Sequence, residues 1–282
     1  MSFKPKLWLG IGAFTLAGAA QSAPADLALQ VRPALAAGPS LDSPGLSGRS
    51  APAAGFMPVA QAQGGEGGEG GEGGAFADAA PDVTRIGQLR LVRGHLEVAR
   101  ALARKGEAAE AAVQALHPIA EEGAVLDPAL ESAIRAYSDA LESAKTDAER
   151  ETAFEAVIAG LDAAEAAVPA TERDDPAFRL KVGLRLLRQA GVEYGEAAED
   201  NFASPQEYRH ARGFLLAAQD WLAPVRDRLA ASEPETARAI EDALDTLARA
   251  LPSWDPPQRP IRDPGEVSGA ISRLEFAAAA LL

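Results

Sequence analysis

Cysteine is absent from this 282-residue chain. That removes disulfide frameworks, thiolate zinc sites, CxxCH haem attachment and cysteine-borne lipid anchors. An excess of basic residues is absent too: 27 Lys and Arg stand against 41 Asp and Glu, a net charge of −14. Nucleic acid, whose binding begins with a basic footprint, is excluded as a partner. There is no Gly-x-Ser-x-Gly, no P-loop glycine-lysine signature and no dinucleotide fingerprint behind a strand. Nothing in the spacing of the three histidines selects a catalytic triad, so the chain is not read as an enzyme. Period-2 alternation of β-branched residues is missing as well, which argues against strands.

The longest apolar run, Leu7 to Ala20, has 14 residues. That is short of the roughly 20 needed to span a bilayer. Lys4 and Lys6 precede it and small residues follow, with Ala23-Pro24-Ala25 or Ala17-Gly18-Ala19 as cleavage sites. Residues 1–25 therefore read as an export signal, and the mature protein as periplasmic or secreted, with no stable membrane span once the signal is removed. Residues 26–82 carry 12 Gly and 6 Pro, with Gly-Gly-Glu three times over from Gly64 to Glu72. Such a stretch buries too little apolar surface to offset its ordering entropy and reads as a disordered tether.

Residues 83–282 read as all-α. Alanine, leucine, glutamate and arginine dominate, and only 11 of the 26 glycines fall there. Helices are expected over 83–105, 107–122, 128–145, 147–168, 176–199, 205–230, 233–251 and 265–281. Thr146–Glu149, Ser204–Glu207 and Ser232–Glu235 each match the capping box, in which hydroxyl and carboxylate satisfy orphan amides. Pro205 is expected at a first helical position. Pro118 and Pro224 should kink or end their helices. Seven or eight helices with short links imply an antiparallel bundle or an array of helical hairpins. The proline cluster from Pro252 to Pro264 is the one long connection.

At 100° per residue the first helix has a polar stripe of Arg90, Arg93, Glu97, Arg100 and Arg104. The opposite face holds Leu91, Leu96, Val98 and Leu102, with His95 near its centre. A buried imidazole requires a hydrogen-bond partner or a metal. Lys105-Gly106 is the expected turn, and His95 and His117 each lie 11 residues from Gly106. They should stand level on adjacent antiparallel helices, with Glu121 one turn beyond His117. On the helix starting near Ser204, Glu207 and His210 share the Glu-x-x-His spacing that bundle metal sites use. Capping by Glu207 is the alternative for that pair.

Gly94-His95-Leu96, Leu102 to Gly106, His117-Pro118 with Glu121, and the segment Glu207-Tyr208 through Ala211-Arg212-Gly213-Phe214 resemble a family of secreted all-helical proteins of Gram-negative bacteria. The resemblance covers mainly residues 89–122 and 204–216. In that family's pattern a histidine stands where this chain has Gln114, and commonly an acid where it has His210. The resemblance implies export and a helical fold, and no known reaction. Imelysin-type iron-uptake proteins are also exported and helical, but their Gly-x-His-x-x-Glu spacing is not that of Gly94-His95-Leu96-Glu97.

Two functions follow. One is an exported metal-binding protein using His95, His117, Glu121, Glu207 and His210, with iron, copper, zinc or manganese as the ions that nitrogen and oxygen donors suit. The other is a structural or protein-interaction helical module with a protein partner and no metal. Leu102 to Leu116 is similar to a tetratricopeptide hairpin, although no second copy follows at the period of about 34 residues.

Overall fold

The computed structural model describes residues 72–76, 78–143 and 145–282. The expected export signal, and the expected tether up to residue 71, lie outside them. Among the described residues the protein is all-α. Nine helices follow in order: α1 (Pro81–Arg104), α2 (Ala108–Glu121), α3 (Pro128–Glu142), α4 (Asp147–Glu165), α5 (Ala170–Arg173), α6 (Pro176–Glu199), α7 (Gln206–Ser232), α8 (Pro234–Ala250) and α9 (Pro264–Ala278). Eight match the expected segments closely, because their apolar period is long and proline or an acidic cap marks most of their starts. The single turn α5 is too short to show a period and was not expected.

The described helices pack as two consecutive four-helix bundles. α1 to α4 surround one core, built from Leu89, Leu96, Leu102, Ile134, Tyr137, Phe154 and Leu161 among others. α6 to α9 surround a second, around Leu187, Tyr194, Phe214, Trp221, Leu247 and Leu274. Helix α1 serves both. Leu89, Val92 and Leu96 point into the first core, while Val83, Ile86 and Leu91 enter the second. Where α1 crosses α7 the backbones nearly touch. A Cβ on Gly94 would meet Phe214 Cδ1 at 2.7 Å and the Gly213 carbonyl carbon at 3.0 Å, so that crossing requires glycine.

Folding begins earlier than residue 83. Glu72–Phe76 forms a 3-10 turn, and the Phe76 side chain is fully buried in the second core, its ring lying where a side chain on Gly87 would otherwise be. Arg185 donates to the Ala75 carbonyl at 2.9 Å, and Thr84 Oγ1 to that of Phe76 at 3.0 Å. Composition hid this, because one aromatic among many glycines barely changes an average yet is enough to dock a turn.

Of three expected capping boxes only Thr146–Glu149 is formed. α7 has Pro205 as its N-cap and takes no side-chain cap bond, after a left-handed step at Asn201 and Phe202. α7 also runs on through Ser232, so α8 starts at Pro234 with Glu233 as its cap residue. Pro118 and Pro224 lie inside α2 and α7 without ending them. The arginine stripe of α1 is a seam against α4. Arg90 pairs with buried Glu165 at 2.7 Å, Arg93 with Asp162, and Arg100 and Arg104 with Glu151.

Candidate metal centre

Three consecutive decisions of the chain build the site. Gly106 takes φ +84°, closing the α1–α2 hairpin. His95 and His117 then come level, as the register expects, with ring centroids 6.1 Å apart. The glycine crossing of α1 and α7 brings His210 against them, 4.6 Å from His95 and 5.5 Å from His117, and seats Phe214 edge-on to His95 at 5.1 Å. The proline-rich connection between α8 and α9 holds this end of the molecule together. Its Leu251 and Trp254 carbonyls accept from Arg212 and Arg209, and Lys105 at the hairpin turn pairs with its Asp255.

His95 is completely buried and His210 is 3% exposed. One ligand atom from each of His95, His117 and His210 lies within 4.8 Å of the others. His95, Glu121 and Glu122 form a second such group. His95 Nε2 is 3.2 Å from Glu121 Oε2 and 4.0 Å from Glu122 Oε2. At 3.2 Å the first of these contacts fits either two donors sharing an ion or a carboxylate holding the Nε2–H of His95, the two roles an acid takes beside a metal-bound histidine. His210 Nδ1 faces Glu193 Oε2 at 3.7 Å, and Gln189 donates to the other oxygen of Glu193 at 2.8 Å. Gln114 sits between the rings, its Nε2 donating to His95 Nδ1 at 3.2 Å and to His210 Nε2 at 2.6 Å. Gln206 Nε2 approaches His117 Nδ1 at 3.5 Å.

Of the five residues expected to hold a metal, the structure groups His117 and His210 with His95, and Glu121 with His95 in the second group. Glu207 belongs to neither group. It also makes no capping box, and its Oε2 is buried without a hydrogen-bond partner. The sequence reading missed Glu122, Gln189 and Glu193. Glu122 directly follows Glu121 and could have been found as a second acid at the helix end. Glu193 stands on α6, whose place beside α7 no short motif reveals.

The donors here are imidazoles and carboxylates from both bundles, in a water-poor seam where uncompensated charge is costly. Such a set suits a borderline or hard divalent ion. No curated protein and no solved structure matches the chain. A family model does match: residues 169–282, which hold α5 to α9 and with them His210 and Glu193, are similar to the iron permease-associated 4-helix bundle domain.

Proposed function

We propose that this is an exported protein that binds a transition-metal ion, iron before copper, zinc or manganese, in the seam between its two bundles. His95, His117 and His210 supply the nitrogen donors, with Glu121 beside them. The observation that carries this reading is the convergence of three imidazoles from three helices within 4.8 Å, next to buried carboxylates. The likeness of residues 169–282 to an iron permease-associated domain is the reason for placing iron first. Export rests on residues 1–25, and no helix among the described residues is long and apolar enough to cross a membrane.

The test is calorimetric titration of the purified chain with Fe(II) under anaerobic conditions, and with Cu(II), Zn(II) and Mn(II). One equivalent should bind, and His95→Ala or His117→Ala should abolish that binding while leaving most helicity. A wild type that binds none of the four more tightly than the double variant overturns the proposal. The polar cluster would then be the internal tie of an interaction module, and the same substitutions would lower stability by about 1–3 kcal/mol through a lost buried hydrogen bond.

A further inference from the structure

Each of two histidines in the seam has one ring nitrogen turned toward a carboxylate and the other turned inward. His95 presents Nε2 to Glu121 and Nδ1 inward, while His210 presents Nδ1 to Glu193 and Nε2 inward. Metal-bound histidines commonly have the outward N–H held by an acid; Glu121 is within that reach of His95 at 3.2 Å, and Glu193 stands beside His210 at 3.7 Å. Both inward nitrogens point at the same atom, Gln114 Nε2. Gln114 is 6% exposed and lies one turn before His117 on α2. Its amide therefore occupies the place toward which the inward lone pairs of α1 and α7 converge.

We infer that Gln114 is a ligand-supplying residue of the centre, a reading that rests on the metal-binding function proposed above. Without an ion, the amide N–H groups donate to both imidazoles and hold them in one orientation, standing in for the cation. With an ion, the cation takes the place toward which both inward lone pairs aim, and the Gln114 side chain rotates back and turns over to present Oε1 instead of Nε2. The oxygen and the imidazole nitrogens are then neighbouring donors around one ion, about 3 Å apart. An amide is neutral in either orientation, so the turn itself moves no proton and brings no charge into the seam. A carbonyl-type oxygen added to three imidazoles makes the set harder and moves preference away from copper and zinc, toward iron and manganese.

Titration of the full chain with Fe(II) and Co(II), together with the visible absorption of the Co(II)-loaded protein, tests this. Gln114→Ala should weaken both ions at least tenfold and alter the Co(II) spectrum, because a ligand is lost. Gln114→Glu keeps an oxygen and cannot donate, so it should bind Fe(II) at least as tightly as wild type. Gln114→His should shift the preference toward Cu(II) and Zn(II). An amide that merely braces the rings would give the opposite pattern, with Gln114→Glu as damaging as Gln114→Ala and the Co(II) spectrum unmoved, and that result overturns the inference. Wild type that binds an ion, loses it in His117→Ala and keeps it unchanged in Gln114→Ala overturns the role of Gln114 alone. Wild type that binds no ion overturns the parent reading as well.

Discussion

Gly94 and Gly213 face each other across the α1–α7 crossing, and the position of His95 depends on them. Gly94→Ala would put a methyl 2.7 Å from Phe214 Cδ1 and 3.0 Å from the α7 backbone. The ring could turn aside, but the backbone could not without separating the helices. The expected cost is about 1–3 kcal/mol of overpacking, measured as a lower thermal midpoint, together with weaker ion binding at the proposed centre because His95 and His210 part. Gly195, which has open space around it, is the control: Gly195→Ala should be neutral or slightly stabilising. At this scale His95 was the most legible residue. Its place on an apolar stripe predicts burial, and equal counts to Gly106 predict that His117 stands level with it. Gln114 was not legible as a partner of the rings, because its role depends on α7, which comes close only through tertiary packing.

At the scale of elements, caps and seams separate what sequence patterns promise from what they deliver. In the Thr146–Glu149 box the Thr146 amide donates to Glu149 Oε2 at 2.8 Å, and the Glu149 amide to Thr146 Oγ1 at 3.3 Å. Thr146→Ala should cost about 1 kcal/mol in denaturant unfolding. Ser232→Ala should cost far less, since no cap bond exists there. The bonds from Thr146 hold the Glu149 carboxyl below the usual carboxylate value. A lowered folded value means that its contribution is complete above the unfolded value of about 4.5 and fades as pH falls through the folded one. The stability gap between wild type and Glu149→Gln should therefore close on acidification. The Ser-x-x-Glu patterns failed where the neighbouring helix ran on, or where proline took the cap position, neither of which a four-residue motif encodes. Along the α1–α4 seam, Arg90→Ala would leave Glu165, which is 3% exposed, with only the longer Arg93 contact at 3.9 Å, at a cost of about 3 kcal/mol. Arg104→Ala, with its side chain 64% exposed, should cost less than about 1 kcal/mol. Thermal unfolding of the two variants checks the contrast.

For the whole molecule, the sharing of α1 is the controlling fact. A fragment of residues 169–282 contains α6 to α9 but lacks Phe76, Val83, Ile86 and Leu91, which complete their core. It should retain helical circular dichroism yet bind hydrophobic dye and unfold over a broad range. A chain from residue 72 onward should unfold in one sharp step. A sharp transition from the short fragment would show that the second bundle stands without α1. The fold class was legible throughout, since alanine-rich helical periodicity covers the folded part. The division into two bundles was not, because the echo between them is short and far apart. Leu89-Arg90-Leu91-Val92-Arg93 returns as Leu184-Arg185-Leu186-Leu187-Arg188, and Leu116-His117-Pro118 as Leu222-Ala223-Pro224. Each pair occupies the first or second helix of its bundle. Alanine stands at the second-bundle counterpart of His117, so the histidine there belongs to one half alone.

The seam would also set a clock for an ion at the proposed centre. His95 is fully enclosed there, while His117 and Glu121 are partly exposed. Such an ion would leave on the α2 side, so its residence time would follow how freely that edge opens as well as the strength of its coordinate bonds. Any change that loosens the proline-rich strap over the α1–α2 turn, such as the loss of the Lys105–Asp255 pair, would then speed exchange without touching a ligand.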